Sequence, residues 1–215
     1  MFRASLLAVS SLAAAALAQA AGGSLHVTLT DGKGKRVEDA VVSLVPLDGQ
    51  MAPAPEPRPV EVAQKNQTFI PYVTAVAVGT SVVFPNVDTV QHHIYSLSKP
   101  KRFEKPLYAP GSHESVVFDQ PGVVTLGCNI HDWMIAYIVV LPTPIFAKTT
   151  ADGTADFREL PAGRYRLDIW HPLLAAPQTR EITVAVPGDS TQEFGLVLKP
   201  DRRIRRSPEG KAGTY

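Results

Sequence analysis

The sequence predicts an all-β protein, and three observations carry that expectation. Short runs rich in valine and isoleucine recur along the chain, among them VTAVAV, SVVF (twice), VVTLGC and MIAYIVVL. Turn-formers separate them: the 215-residue chain holds 19 Pro and 15 Gly against 8 Phe, 6 Tyr and 2 Trp, the punctuation of short strands. The central segment nowhere sustains the 3.6-residue apolar period of a helix; a short helical turn is expected only near Lys101–Lys105. With 45% hydrophobic and 19% charged residues, the composition is that of a folded chain and argues against wholesale disorder.

The elements follow in order. Residues 1–20 read as a signal peptide: Arg3 gives a positive start, Leu6 to Ala18 a short apolar core, and Ala18-Gln19-Ala20 a small-x-small cleavage pattern. The mature chain is then expected to begin at Ala21 and to be exported, to a periplasm or beyond. The apolar core is too short to span a bilayer, and no cysteine offers a lipid anchor at the cleavage site, so no integral membrane segment is expected after cleavage. Loss of Arg3 takes the basic residues from 21 to 20, against 20 acidic ones, and a neutral protein gives no global reason to bind nucleic acid.

In residues 24–49, LHVTLT alternates, DGKGKR turns, and AVVSLVPL reads as a second strand. Prolines at 53, 55, 57 and 59 make an extended linker. Residues 60–141 carry the central strand candidates, separated by Pro-Asn, Ala-Pro-Gly and Gln-Pro-Gly turns. In residues 142–199, Asp152-Gly153 and Pro161-Ala162-Gly163 mark hairpin turns, and Phe157, Leu160, Tyr165, Leu167 and Ile169 are expected to face inward. Residues 200–215 read as a disordered basic tail around Arg202, Arg203, Arg205 and Arg206.

Chemistry concentrates in Cys128-Asn129-Ile130-His131-Asp132-Trp133-Met134, between two apolar strands. Cys128 is the lone cysteine, so it forms no internal disulfide, and a free thiol in an oxidising compartment is expected to be buried or metal-bound. Thiolate, imidazole and thioether at a spacing of three in one turning loop can converge on a single ion. With a second imidazole they make the trigonal His₂Cys set with a long axial Met that type 1 copper takes. That imidazole is His92 or His93; neighbouring strand residues point to opposite faces, so one ring can face the metal and the other cannot. His26, His113 and His171 read as surface histidines.

The stretch GTSVVFPNVDTVQHHIY with FDQPGVVTLGCNIHDWM resembles the two metal loops of cupredoxins of the plastocyanin and amicyanin type, and the exported cupredoxin-like proteins labelled methylamine-utilisation proteins. The resemblance covers roughly residues 60–141 and implies a Greek-key sandwich holding one type 1 copper. Counted from Asn86, it selects His92 as ligand beside Cys128, His131 and Met134, with His93 where an Asn usually follows. It also implies that the loop of Asn86 hydrogen-bonds to the cysteine loop and holds the thiolate. Residues 24–49 and TTADGTADFRELPAGRYRLDI resemble the two halves of a carboxypeptidase-regulatory-like (transthyretin-like) β-sandwich, of immunoglobulin-like build. The expected domains are therefore a split sandwich of 21–49 plus 142–199 with a cupredoxin of 60–141 inserted; the rival is three consecutive pieces, the first belonging to the cupredoxin sheet.

The function expected is non-enzymatic electron transfer, with transient docking to a redox partner: a dehydrogenase, a cytochrome or an oxidase. The alternative is copper handling or sensing, which the appended sandwich favours. Multicopper catalysis needs many more histidines than the six present, and no Ser/His/Asp arrangement or phosphate loop stands out.

Overall fold

A computed structural model of the chain describes residues 22–49, 56 and 58–202. The expected signal peptide, its cleavage at Ala21, most of the proline linker and the tail from residue 203 onward lie outside the described residues. Among the described residues every regular element is a strand. The chain opens with β1 (Gly23–Asp31) and β2 (Val41–Pro46). Then come β3 (Val60–Glu61), β4 (Ala63–Lys65), β5 (Thr68–Ile70), β6 (Val73–Ala77), β7 (Thr80–Pro85) and β8 (His92–Ser96). They are followed by β9 (Phe103–Tyr108), β10 (His113–Phe118), β11 (Gly122–Gly127) and β12 (Ile135–Leu141). The chain closes with β13 (Phe146–Lys148), β14 (Thr154–Leu160), β15 (Gly163–Trp170), β16 (Gln178–Val184) and β17 (Asp189–Leu196).

The outer strands of the sequence build one pair of sheets, β14-β1-β17 and β13-β2-β15-β16. In β1 the alternation places Leu25, Val27 and Leu29 at 1% exposure or less, while His26 points outward beside Asp156. These side chains meet Val42 and Leu44 of β2, Phe157 of β14, Leu167 of β15 and Phe194 of β17 in one core. Phe157, Leu160, Tyr165, Leu167 and Ile169 all face inward. β1 is the middle strand of its sheet, antiparallel to β14 and parallel to β17. Thr149 ties the segment after β13 to the chain before β2: its hydroxyl donates to Val37 O at 2.8 Å and accepts Ala40 N–H at 3.0 Å.

The middle strands build a second pair of sheets, β10-β7-β3 and β6-β12-β11-β8-β9, with β4 and β5 as a hairpin. Their core is Val82 and Phe84 of β7, Ile94 of β8, Phe118 of β10, Leu126 of β11 and Ile138 of β12, continued by Cys128 and Met134. The helical turn expected near Lys101–Lys105 is a correction: the turn falls earlier, closed by Lys101 N–H on Ser98 O, and β9 begins at Phe103. Pro106 bars a helix there, and Phe103 packs its ring against Phe84 and Phe118.

The two pairs of sheets touch through Val41, Val73 and Val139, flanked by Tyr72, Tyr137 and Trp170. Tyr137 stands edge-on to Tyr72 and tilted to Trp170, with ring centroids 5.5 Å apart in each pair.

Candidate metal centre

One end of the second sandwich gathers the loop between β7 and β8, the loop between β11 and β12, and the turn of the β4–β5 hairpin. β8 delivers His92. Its pairing with β9 slips between His92 and Ile94, a bulge that lets both His92 and His93 be buried. β11 ends at Gly127, so Cys128 is the first residue of its loop. Met134 N–H donates to His131 O at 2.9 Å and closes the loop into a tight turn.

The fold brings three of the expected donors together. The Sγ of Cys128 and one ring nitrogen each of His92 and His131 lie within 4.8 Å of one another. Cys128 Sγ is 3.7 Å from His131 Nδ1, and the two imidazole rings are 4.9 Å apart. His92 is fully buried and Cys128 nearly so, whereas His131 is partly exposed. Met134 is buried in the same core cluster as Cys128. His93 turns elsewhere: its Nε2 meets Glu104 Oε1 at 2.9 Å, and its ring lies 5.6 Å from that of Tyr95.

Asp88 settles the chemistry of His92. Its Oδ2 accepts the N–H of Gln67 at 2.6 Å and lies 3.0 Å from His92 Nε2, and its Oδ1 accepts Thr89 N–H at 2.8 Å. Burial would raise the Asp88 pKa, but Gln67, His92 and Thr89 outweigh it and hold the carboxyl below its ordinary value. An ionised carboxylate only accepts, so Nε2 carries the hydrogen. Nδ1 of His92 is then the nitrogen turned toward the cluster, buried beside the Cys128 sulfur.

The sulfur is prepared for ionisation. Burial alone would push the Cys128 thiol up; His92 and the backbone amides of Ile130, His93 and His131 outweigh it and hold the thiol below its ordinary value. For His92 burial disfavours the charged ring, but Cys128 and Asp88 prevail and raise its pKa. One sulfur and two imidazoles brought together, with Met134 buried in the same core, are a donor set that fits copper.

Asn86 organises its own loop. It is fully buried, donates to Val90 O and Tyr108 O at 2.9 and 3.1 Å, and accepts Asp88 N–H at 3.1 Å. It shapes the loop carrying Asp88 and His92. The hairpin turn also bonds to the cysteine loop, where Trp133 Nε1 donates to Gln67 O at 3.1 Å. Asp88, Gln67 and Glu104 are the participants the sequence reading missed. For Asp88 a signal existed: Pro85-Asn86-x-Asp88 is an Asx-turn sequence, and it places a carboxylate four residues before a candidate metal histidine.

His26, His113 and His171 stand outside the donor cluster: His26 pairs with Asp156, His113 is exposed, and His171 Nδ1 accepts Leu173 N–H. Trp133 and Met134 also border a groove of about 640 Å³, whose other wall includes His171, Leu173 and Leu198 of the first sandwich. Among the described residues no helix is long and apolar enough to cross a membrane.

No protein-family model matches the chain, and no curated protein matches it. Solved structures match part of it. A purple cupredoxin from Nitrosopumilus maritimus overlays 38% of this chain and 99% of its own, at 26% identity and a TM-score of 0.36. A copper-containing nitrite reductase from Thermus scotoductus overlays 45% of this chain at 30% identity and a TM-score of 0.38; the overlay spans 25% of the reductase. Amicyanin from Paracoccus versutus overlays 46% of this chain and 98% of its own, at 14% identity and a TM-score of 0.37. The chain is all-β, with cupredoxin-like structural neighbours over part of its length.

Proposed function

We propose that the second sandwich binds one type 1 copper ion through His92, Cys128, His131 and Met134, and that the exported, periplasmic protein carries electrons to or from a redox partner. A dehydrogenase, a cytochrome or an oxidase would dock there transiently. The observation that carries this reading is the convergence of the Cys128 sulfur and one ring nitrogen each of His92 and His131 within 4.8 Å of one another. Copper, when bound, supplies a one-electron couple. The chain does the rest. Three backbone amides are turned on the Cys128 sulfur and favour its thiolate. Asp88 fixes His92, and the hydrogen bonds between loops resist rearrangement when charge changes. His131, the partly exposed member of the cluster, is the ligand a partner reaches. On this reading residues 60–141 form the copper domain, inserted in a β-sandwich of residues 21–49 plus 142–199.

Purified protein loaded with Cu(II) tests this directly. An intense visible band from thiolate-to-copper charge transfer is expected, and Cys128→Ser abolishes it; a band that survives the substitution refutes the site. Rapid electron self-exchange supports a carrier. Copper passing to a metal-free acceptor faster than electrons pass between copies supports copper handling instead.

A further inference from the structure

Behind the metal-facing histidine sits a carboxylate bonded within its own loop, to the hairpin turn and to strand β8. The Asp88 side chain is 9% exposed, and both of its oxygens are engaged. Oδ2 is shared between His92 on β8 and the Gln67 amide in the hairpin turn. The carbonyl of the same Gln67 accepts Trp133 Nε1, and the Trp133 ring lies 5.3 Å from that of His131. One residue thus connects both candidate histidines, one directly and one through a peptide and an indole.

We propose that Asp88 is a positioning residue of the metal centre: it holds His92 in the Nε2–H tautomer with Nδ1 toward Cys128, and couples that ring to the cysteine loop through Gln67 and Trp133. The second half of its test rests on the copper reading; the first does not. A backbone carbonyl could fix the tautomer equally well, but it would bring no charge. A carboxylate draws on the Nε2 hydrogen, makes the ring a stronger donor at Nδ1, and so favours the more highly charged oxidised metal. The Gln67 amide competes for the same oxygen and keeps it in place, which a surface carboxylate with a free side chain would not achieve.

The metal-free protein gives the first test, by ¹⁵N resonances of the imidazole nitrogens. At a pH where the ring is neutral, the wild type is expected to show His92 as the Nε2–H tautomer. Asp88→Ala is expected to admit the Nδ1–H form, while Asp88→Asn keeps an acceptor oxygen and the wild-type tautomer. Trp133→Phe, which leaves Asp88 intact, is expected to shift the His92 ring signals. The second test is copper binding. Asp88→Ala is expected to weaken Cu(II) binding about 10- to 100-fold with a smaller change for Cu(I). A tenfold difference between the two raises the reduction potential by about 59 mV. Asp88→Asn, the variant of choice should the alanine variant fail to fold, is expected to raise the potential while keeping the tautomer. His92 found as Nδ1–H in the wild type overturns the proposal, and so does an unchanged potential in Asp88→Asn. If the wild type takes up no coloured copper, the copper reading fails and the tautomer measurements alone decide the role of Asp88.

Discussion

Gly127 has no side chain because Tyr95 already fills the space beside it. A Cβ there would come within 2.9 Å of the Tyr95 ring, one residue before Cys128. Gly127→Ala therefore has to displace that ring or the start of the cysteine loop. Chemical denaturation of the metal-free protein is expected to show a loss of about 1–3 kcal/mol, the usual cost of overpacking. The neighbouring histidines give a sharper contrast. His92→Ala removes a buried donor from the cluster, so the charge-transfer band is expected to vanish or weaken as water takes the place of imidazole. His93→Ala removes the pair with Glu104 and the ring contact with Tyr95 but is expected to keep the colour, with a shifted maximum, because the His93 amide still faces the sulfur. Visible spectra of the two variants check both outcomes, and the reverse pattern would move the proposed ligand to His93. Cys128, His131 and Met134 were legible because a single loop holds all three. Asp88, Gln67 and Glu104 were not legible as a set, since each acts across a loop or a strand pair and spacing alone does not reveal such partners.

At the scale of elements, period decided what could be read. β7 alternates over all six of its residues, and β1 does so from Gly23 to Val27, long enough for a period to show in the sequence. β3, β4 and β5 have two or three residues each, too few for any period. The bulge in β8 is equally silent in the sequence, because it depends on how β9 runs beside it. Among the connections, the Thr149 hydroxyl holds two segments far apart in sequence by one donated and one accepted bond, all within the interior. Thr149→Val keeps the shape and removes both bonds, leaving the Ala40 amide and the Val37 carbonyl without their partner. A cost of about 1–3 kcal/mol is expected in thermal or denaturant unfolding, with the visible spectrum of the copper-loaded protein unchanged. A changed spectrum would show that the first sandwich reaches into the metal centre.

For the whole molecule, the two cores share no residue: one lies between the sheets of β1 and β2, the other between those of β7 and β12. Their contact includes an aromatic cluster to which the first sandwich contributes Val41 and Trp170. Deleting residues 50–141 and joining the ends with a short flexible linker is therefore expected to leave a folded β module, with cooperative unfolding and dispersed amide resonances. An unfolded product, alongside a central segment of 60–141 that folds alone, would count against the split arrangement. That arrangement was suggested by complementary half-patterns; the packing of Tyr137 between Tyr72 and Trp170 left no trace in the sequence, because contact between two finished surfaces follows no local period.

The place of β1 bears on the order of events during synthesis. Its neighbours are β14 and β17, so Leu25 must wait for Phe157 and Ser190 to be made before its strand is paired on either side. The strands of the second sandwich lie much closer together along the chain; β11 and β12 are consecutive and joined by the cysteine loop. Closing short loops costs less entropy than closing long ones. A nascent chain can thus complete its second sandwich while β1 and β2 remain an open apolar edge of the kind that invites association. Chains ending at residue 145 are expected to show protease resistance across 60–141 and rapid cleavage within 23–46, so strands made before the second sandwich are sheltered after it.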